Sequence, residues 1–273
     1  MKPTVSAIVP FYNEEKSIGR VVRTLLTSPQ ISEIICVNDG STDGSKKVLQ
    51  QFNGQIKLIN LPKNYGKGKA VAEGIKKAKG THVFFCDADL VRFTKDHIEK
   101  ILDPIVKGKT KVVLAVPTQD KTGRYPRWES FLAGERVYPR AELLHHLSRL
   151  SGSKGAGASE VYLNTLYKKK DTTIVPLVGL YKPLKVSKWN STTALKQYLL
   201  SIIGVLQEAG KIEIHSVSDL KQLENLLQVD TFENLLTRIT EIKNKKIRHL
   251  LERYYAKYLA KYVKKIKPPF LVA

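Results

Sequence analysis

Short runs of β-branched and aromatic residues alternate with amphipathic segments between residues 4 and 115. Alternation of such strand-like runs with segments of helical periodicity is typical of strands that are each followed by a helix. It predicts strands over 5–10, 33–37, 56–60, 82–86 and 112–116, and helices over 15–27, 44–52, 67–78 and 94–107. Such units connect with a right-handed crossover and form a mostly parallel sheet covered by helices. The predicted fold class is therefore α/β, with a ligand expected beyond the carboxyl ends of the strands.

The rest of the chain is less regular, and its pattern changes near residue 190. Before that point the pattern predicts helices over 141–150 and 158–168, a flexible loop over 151–157 and a strand over 172–178. After it the pattern is helical and increasingly basic. We therefore predict one α/β domain over 1–190, with halves 1–116 and 117–190, and a C-terminal basic helical extension over 191–273.

The chain is strongly basic, with 46 lysines and arginines against 25 aspartates and glutamates in 273 residues and a formal net charge of +21. A positive electrostatic field of this kind favours binding of nucleic acid, of an anionic membrane face or of phosphorylated substrates. Two cysteines exclude a disulfide scaffold, and no apolar stretch approaches the roughly 20 residues that span a bilayer. Because the chain enters a predicted strand at once, we expect no signal peptide and a cytoplasmic location.

Acidic residues follow three of the predicted strands where each strand ends. Glu14 follows the first strand, Asp39 the second, and Asp87 and Asp89 the fourth. Alternate residues of an extended segment point to opposite sides, so one aspartate of the last pair can hold a divalent cation while the other reaches a sugar hydroxyl. Carboxylate oxygens favour Mg²⁺ or Mn²⁺. Helix capping is the alternative for any one of these acids taken alone.

Two glycines and two lysines open the third predicted helix, over 66–69. Free backbone N–H groups and two ammonium groups would gather there, where an anion could bind. The spacing is not a dinucleotide fingerprint, because Val71 stands where glycine or alanine is needed, and the P-loop spacing is absent. A solvated basic helix start is the alternative.

Four segments together carry a resemblance to a known family: VSAIVPFYNEE, EIICVNDGSTDGS, NYGKGKAVAEGI and VFFCDADL. In this order and spacing they resemble the nucleotide-sugar-binding half of family 2 glycosyltransferases of the GT-A fold. The resemblance implies a nucleoside-diphosphate sugar as donor and Mg²⁺ or Mn²⁺ as cofactor, with Asp87 and Asp89 as the metal-binding pair. It implies nucleotide-sugar contacts by Pro10, Tyr12, Asn13, Glu14, Asp39, Gly66, Lys69, Asp87 and Ala88.

The stretch from Gly134 to Tyr138 carries a narrower resemblance, to the polyprenyl-phosphate sugar transferases. Lys182 and Lys188 fall where those enzymes carry an arginine and a lysine, and Glu160 leads a helix that is acidic in them. The same region loosely resembles glucosyl-3-phosphoglycerate synthase-type transferases, which have a histidine near position 182 as a metal ligand. A charged Lys182 cannot take that role.

Four cations of the second half, Arg136, Lys182, Lys185 and Lys188, are predicted to form a cationic mouth that holds an acceptor phosphate. A phosphate acceptor is already ionised at neutral pH and needs no general base. A hydroxyl acceptor needs one, and Glu129, Glu135 and Glu160 are the candidates. The predicted catalytic residues are therefore Asp89, Arg136, Glu135 and Glu160, while a solvated surface charge is the alternative for each lysine.

The C-terminal stretch 243–267 contains ten lysines and arginines and one acid, with Tyr254, Tyr258 and Tyr262 four residues apart. A basic amphipathic helix with such tyrosines can lie on an anionic bilayer. A helical bundle that keeps its charged face in water is the alternative.

The sequence thus predicts a metal-dependent glycosyltransferase that moves a sugar to an acceptor, expected to be a phosphate-bearing lipid such as polyprenyl phosphate. A soluble or polysaccharide hydroxyl acceptor is the alternative, and peripheral membrane association stays open. A nucleic-acid-binding protein is the alternative of another class, although no such motif is present and nucleic acid is not the expected partner.

Overall fold

The structure is a computed structural model that describes residues 3–118, 122, 133–153, 157–181, 226 and 232–254. The chain divides into two compact units, Met1–Pro183 and Leu184–Ala273. The domain boundary predicted at 190 lies outside the described residues.

The first unit contains seven strands among its described residues: β1 Val5–Phe11, β2 Ile31–Asn38, β3 Lys57–Asn60, β4 His82–Phe85, β5 Val112–Thr118, β6 Glu135–Pro139 and β7 Thr172–Val178. Its described helices are α1 Ile18–Leu26, α2 Ser45–Gln50, α3 Lys67–Lys77, α4 Lys95–Val106, α5 Arg140–Leu143, α6 Leu147–Gly152 and α7 Ala158–Leu166. Two short 3₁₀ helices, Leu144–His146 and Lys169–Asp171, join α5 to α6 and precede β7.

The strands form one sheet in the order β3-β2-β1-β4-β6-β5-β7. All pairings are parallel except those of β6, which runs antiparallel to both β4 and β5. The last residues of β1, β2 and β3 are in register, since Phe11 pairs with Asn38 and Asn38 with Asn60. These ends, the end of β4 and the start of β6 share one side of the sheet, which we call the carboxyl edge. The predicted α/β class and mostly parallel sheet are confirmed.

The sequence did not predict β6. Its first two residues, Glu135 and Arg136, are charged, so the segment lacks the alternating apolar pattern of a strand. It is nevertheless an inner strand, and both charged residues are fully buried.

Helices cover both faces of the sheet and bury two apolar layers. On one face, Ile18, Val21, Val22 and Leu25 of α1 pack in the same cluster as residues of α4. On the other face, the apolar side of α3 packs in a cluster with residues of α6 and α7. Burial of these side chains removes apolar surface from water and fixes the strand ends relative to one another.

Several helices differ from their predicted extent: α2 ends at Gln50 instead of residue 52, and α7 ends at Leu166 instead of residue 168. α1 begins at Ile18 instead of residue 15, because Glu15 accepts the Gly44 N–H and donates its own N–H to Asp43 instead of entering the helix. The helix predicted over 141–150 is divided into α5, a 3₁₀ turn and α6.

The second unit contributes two described helices, α8 Phe232–Thr240 and α9 Lys245–Tyr254. Ile239, Ile242, Ile247 and Leu251 are buried, as expected for the apolar face of a packed helical pair. The basic helix predicted over 243–267 is thus described as far as Tyr254, and 255–267 lies outside the described residues. Among the helices of the described part, none combines the length and the apolar character that crossing a membrane requires.

Candidate functional site at the carboxyl edge

Asp39 lies directly after β2 and is almost fully buried, with 4% of its surface exposed. Its backbone N–H extends the ladder to β1 by donating to the Phe11 carbonyl at 2.8 Å. Its carboxylate accepts the backbone N–H groups of Tyr65 and Gly66, one on each oxygen and each at 2.8 Å. Asp39 therefore fixes the loop that leads into α3, and each carboxylate oxygen has a second lone pair toward a ligand.

The loop after β1 is fastened to the loop after β2. Asn13 adopts φ 55°, accepts the Thr42 N–H at 2.8 Å and donates its own N–H to Ser41 Oγ at 3.0 Å. The Glu14 N–H donates to Ser45 Oγ at 2.8 Å. Asn13 itself is exposed, Tyr12 is half-buried, and Pro10 is buried within β1. Tyr12, Asn13 and Glu14 thus lie in a loop that is fixed to the residues following Asp39, while Pro10 lies below the surface in β1.

The loop before α3 sends one lysine toward the acidic residues and another away from them. Gly66 adopts φ 96°, a left-handed conformation that favours glycine. Lys69 pairs with Glu73 one turn along α3, at 2.8 Å. Lys67, by contrast, lies 2.7 Å from Asp87 Oδ1 and 2.6 Å from Glu160 Oε1. Of the two lysines in the predicted anion-binding loop, Lys67 therefore contacts the acids of the site and Lys69 contacts Glu73 on its own helix.

Asp87 and Ala88 are buried after β4, and Asp89 is half-buried. Gly134 stands so close to Asp87 that an added Cβ would lie 2.1 Å from Oδ2. Two residues beyond Asp89, Val91 forms a two-hydrogen-bond bridge with Tyr181, at 2.8 and 3.0 Å. The segment carrying both aspartates is thus held by its neighbours on several sides.

Arg136 does not face an acceptor in the way the predicted cationic mouth requires. It is fully buried, and its guanidinium donates to the Ala133 and Glu160 carbonyls, the Tyr138 hydroxyl and Asn164 Oδ1. These contacts hold α7 against β6. The other members of the predicted mouth, Lys182, Lys185 and Lys188, lie outside the described residues.

Glu160 is buried at the start of α7, where Lys67 and Ser159 donate hydrogen bonds to its carboxylate at 2.6 and 2.8 Å. Burial alone would raise the pKa of Glu160, but the positive charges of Lys67 and Arg136 and the hydrogen bond from Lys67 outweigh it. Together they lower that pKa from 4.5 to about 2. A carboxylate with so low a pKa is a weak base at neutral pH, which argues against Glu160 as a general base. Of the other two candidates, Glu135 is fully buried, and Glu129 lies outside the described residues.

Asp87 and Asp89 provide two carboxylates, and no group of three or more metal-ligating side chains occurs among the described residues. That donor set fits Mg²⁺ or Mn²⁺, since such ions commonly take one or two carboxylates and complete their coordination with phosphate oxygens and water.

Four residues that contact the predicted site residues were not themselves predicted as site residues, although Lys67 is one of the two lysines of the predicted anion-binding loop. They are Lys67, Gly134, Tyr138 and Asn164, all within reach of Asp87 or Arg136. Lys67 and Gly134 lie inside recognised motifs, so a signal existed for them. Nothing in the local pattern indicates Asn164.

The fold matches solved glycosyltransferase structures. Glucosyl-3-phosphoglycerate synthase from Mycobacterium tuberculosis, in complex with phosphoglyceric acid, superimposes with a TM-score of 0.61 at 18% identity, over 78% of this chain and 82% of that chain. Another structure of the same enzyme contains Mn²⁺ and uridine-diphosphate-glucose. Mannosyl-3-phosphoglycerate synthase from Rubrobacter xylanophilus gives a TM-score of 0.58 at 18% identity, over 79% and 78% of the two chains. The architecture is the GT-A glycosyltransferase fold.

The family model of glycosyl transferase family 2 matches residues 6–162, more than half of the chain. The chain belongs to this family.

Curated relatives match over shorter segments. An uncharacterized glycosyltransferase of Synechocystis sp. is 45% identical over 93 residues, 32% of this chain and 29% of that protein. The 4,4'-diaponeurosporenoate glycosyltransferase of Staphylococcus aureus is 29% identical over 132 residues, 47% of this chain and 35% of that protein. The chain therefore spans about a third of the length of these relatives.

Proposed function

We propose that the protein transfers a sugar from a nucleoside-diphosphate sugar to a phosphate-bearing acceptor, with a divalent cation at the carboxyl edge. The observation that carries this proposal is the arrangement of Asp39 and Asp87. Both are buried acids at the carboxyl ends of β2 and β4, the parallel strands on either side of β1, and both contact residues at the start of α3. Binding at this edge, outside the carboxyl ends of the strands, is the general rule for open α/β sheets.

The nucleoside end of the donor belongs beside Asp39, between the loops after β1 and β2. Asn13 and Glu14 hold these two loops together, the half-buried Tyr12 precedes them, and Pro10 is buried within β1. Asp39 has acceptor capacity left for a base N–H, because one lone pair on each oxygen is used by Tyr65 and Gly66. Uridine-diphosphate-glucose in the mycobacterial neighbour supports this assignment.

The cation would be held by Asp89, with Asp87 beside it. When bound, a divalent cation stabilises negative charge on the departing nucleoside diphosphate. Asp87 is positioned by Lys67 on one oxygen and by the close approach of Gly134 on the other. This leaves Asp89 as the carboxylate that we assign primarily to the cation and Asp87 as the one that orients the donor.

Two of the three candidate bases support an acceptor that needs no base, and the third, Glu129, lies outside the described residues. Glu160 has a pKa of about 2 and is engaged by Lys67, while Glu135 is fully buried. An acceptor that is already ionised, such as a phosphate, needs no proton removed. Phosphoglyceric acid bound to the mycobacterial neighbour supports a phosphate-bearing acceptor.

A polyprenyl phosphate meets the same chemical requirement, and a basic C-terminal stretch over 243–267 would suit a lipid-linked acceptor at an anionic membrane surface. We therefore retain a lipid-linked acceptor and a cytoplasmic, peripheral location as proposals. Lys182, Lys185 and Lys188 remain the proposed contacts to the acceptor phosphate, and Arg136 is reassigned to holding α7.

The proposal is tested by a thermal-shift screen of UDP, GDP, CDP and TDP with and without Mn²⁺, using the full chain. A ligand that binds the native state raises the melting temperature by mass action. We expect one nucleoside diphosphate to do so with Mn²⁺, and we expect Asp89→Ala to lose the Mn²⁺-dependent part. Asp96→Ala, an exposed acid on α4, is the control. No shift with any diphosphate, or an unchanged shift in Asp89→Ala, contradicts the proposal.

A further inference from the structure

The ammonium group of Lys67 lies between two buried carboxylates that come from distant parts of the chain. Its Nζ atom is 2.7 Å from Asp87, which follows β4, and 2.6 Å from Glu160, at the start of α7. The Lys67 side chain is 27% exposed, whereas those of Asp87 and Glu160 are 12% and 7% exposed. Lys67 therefore reaches inward from the first turn of α3 and connects the segment that carries Asp87 and Asp89 to α7.

The two carboxylates that Lys67 contacts have a second cation, Arg136, near one of them. Arg136 donates to the backbone carbonyl of Glu160 and lowers the free energy of its carboxylate, so two cations accompany the two carboxylates. Buried ionic groups are stable only when their charges are compensated in this way. A divalent cation held by Asp89, with Asp87 beside it, would approach the Lys67 ammonium that contacts Asp87. Like charges at close range repel strongly in a partly buried site.

We propose that Lys67 is a positioning residue that acts as the internal counter-cation of Asp87 in the free protein and makes binding of the divalent cation depend on the nucleoside diphosphate. The inference rests on the proposed function. A diphosphate brings the negative charge that compensates both the ammonium group and the incoming cation. Glu160 anchors Lys67 to α7, which keeps the ammonium at the site.

The test measures Mn²⁺ binding, not activity. Free Mn²⁺ is followed by electron paramagnetic resonance as the full chain is titrated with MnCl₂, with and without saturating UDP, and with GDP in parallel. In the wild type we expect weak binding of Mn²⁺ alone and an affinity about tenfold or more higher with the diphosphate, the size of effect expected when one charge beside a carboxylate is compensated.

Lys67→Met removes the charge and keeps the length of the side chain. We expect it to bind Mn²⁺ alone about tenfold more tightly than the wild type, so that the diphosphate adds little. Lys67→Arg keeps the charge and should behave as the wild type. Lys76→Met, an exposed lysine on the same helix that pairs with Glu73, is the matched control.

Lys67→Met leaves two buried carboxylates short of a partner, which threatens folding. The double variant Lys67→Met with Glu160→Gln removes one charge of each sign and keeps the balance, and it should show the same diphosphate-independent Mn²⁺ binding.

The inference is overturned if the charge-removing variants keep the diphosphate dependence of the wild type, or if the wild type binds Mn²⁺ equally well without a diphosphate. Failure of the proposed function looks different, because the wild type would then bind no Mn²⁺ even with UDP or GDP.

Discussion

Gly134 and Asp87 are packed so closely that a single methyl group on Gly134 would lie 2.1 Å from the Asp87 carboxylate. The residue before β6 thus limits where an aspartate after β4 can stand. A glycine is required here for space and not for backbone conformation.

Gly134→Ala should therefore displace Asp87 and remove the Mn²⁺-dependent thermal shift by nucleoside diphosphate. Overpacking at a buried site costs about 1–3 kcal/mol, so we expect a folded but less stable protein in urea denaturation. Gly152→Ala is the control, since a Cβ there meets no described atom within 4 Å. An unaltered shift in Gly134→Ala would mean that the position of Asp87 is unimportant for donor binding.

Asp39→Asn should weaken both stability and nucleotide binding. The amide replaces one acceptor oxygen with an N–H donor that faces the Tyr65 or Gly66 N–H, so one charge-assisted hydrogen bond is lost. Such bonds contribute about 1.5–3 kcal/mol, and we expect a loss of that order in urea denaturation at pH 7. Asp103→Asn, at a half-buried surface acid of α4 that pairs with Lys107, should change stability by less than about 0.5 kcal/mol. Equal effects of the two substitutions would contradict the role of Asp39 in holding the loop.

The low pKa of Glu160 predicts a stability that depends on pH in the metal-free protein. Because the folded-state pKa, about 2, lies below the ordinary 4.5, the contribution of the ionised group is fully present above about pH 4.5. It is lost as the pH falls toward 2, and over the whole range it amounts to about 3 kcal/mol. Urea denaturation with EDTA should show the stability difference between wild type and Glu160→Gln shrinking over this window.

Glu99→Gln, an exposed acid on α4, serves as the reference for general acid effects. If the wild type and Glu160→Gln curves run parallel from pH 5 to pH 2, the Lys67 and Arg136 charges do not stabilise the Glu160 carboxylate.

Arg136→Met should destabilise the fold strongly. It removes the donors to the Glu160 carbonyl, Tyr138 and Asn164 and one of the two cations beside the buried Glu160 carboxylate. Breaking a buried ionic arrangement on one side costs about 3–5 kcal/mol, which guanidinium denaturation can measure. Arg20→Met, at an exposed position of α1, should be nearly neutral. A stable Arg136→Met variant that loses only acceptor binding would restore the acceptor-contact role predicted from the sequence.

The part of the fold that the sequence predicted well is the part with local signals. Strands β1 to β4 are apolar runs followed by turn residues, and α1 and α3 have apolar residues at helical spacing, so their existence and order follow from the pattern. β6 has no such signal, since Glu135 and Arg136 begin it. Its insertion between β4 and β5 depends on pairing across more than fifty residues, which a local pattern does not contain.

In the candidate site, too, the residues with a local sequence signal were predicted, and those whose position depends on the tertiary structure were not. Asp39, Asp87 and Asp89 are found at strand ends, which is a local property. Whether Lys67 or Lys69 turns inward depends on the phase of α3, although the four-residue spacing of Lys69 and Glu73 indicates a surface pair. The burial of Arg136 could not be expected without β6, because only an inner strand encloses that side chain.

The antiparallel strand β6 makes the two halves of the sheet inseparable. When residues 1–118 have emerged from the ribosome, β4 and β5 are present but the strand that lies between them is not. Each of the two strands therefore has an unpaired edge until Glu135–Pro139 emerges. Expression of the first 116 residues as a minimal nucleotide-binding fragment would preserve those open edges permanently, and self-association through them is the expected fate of such a fragment.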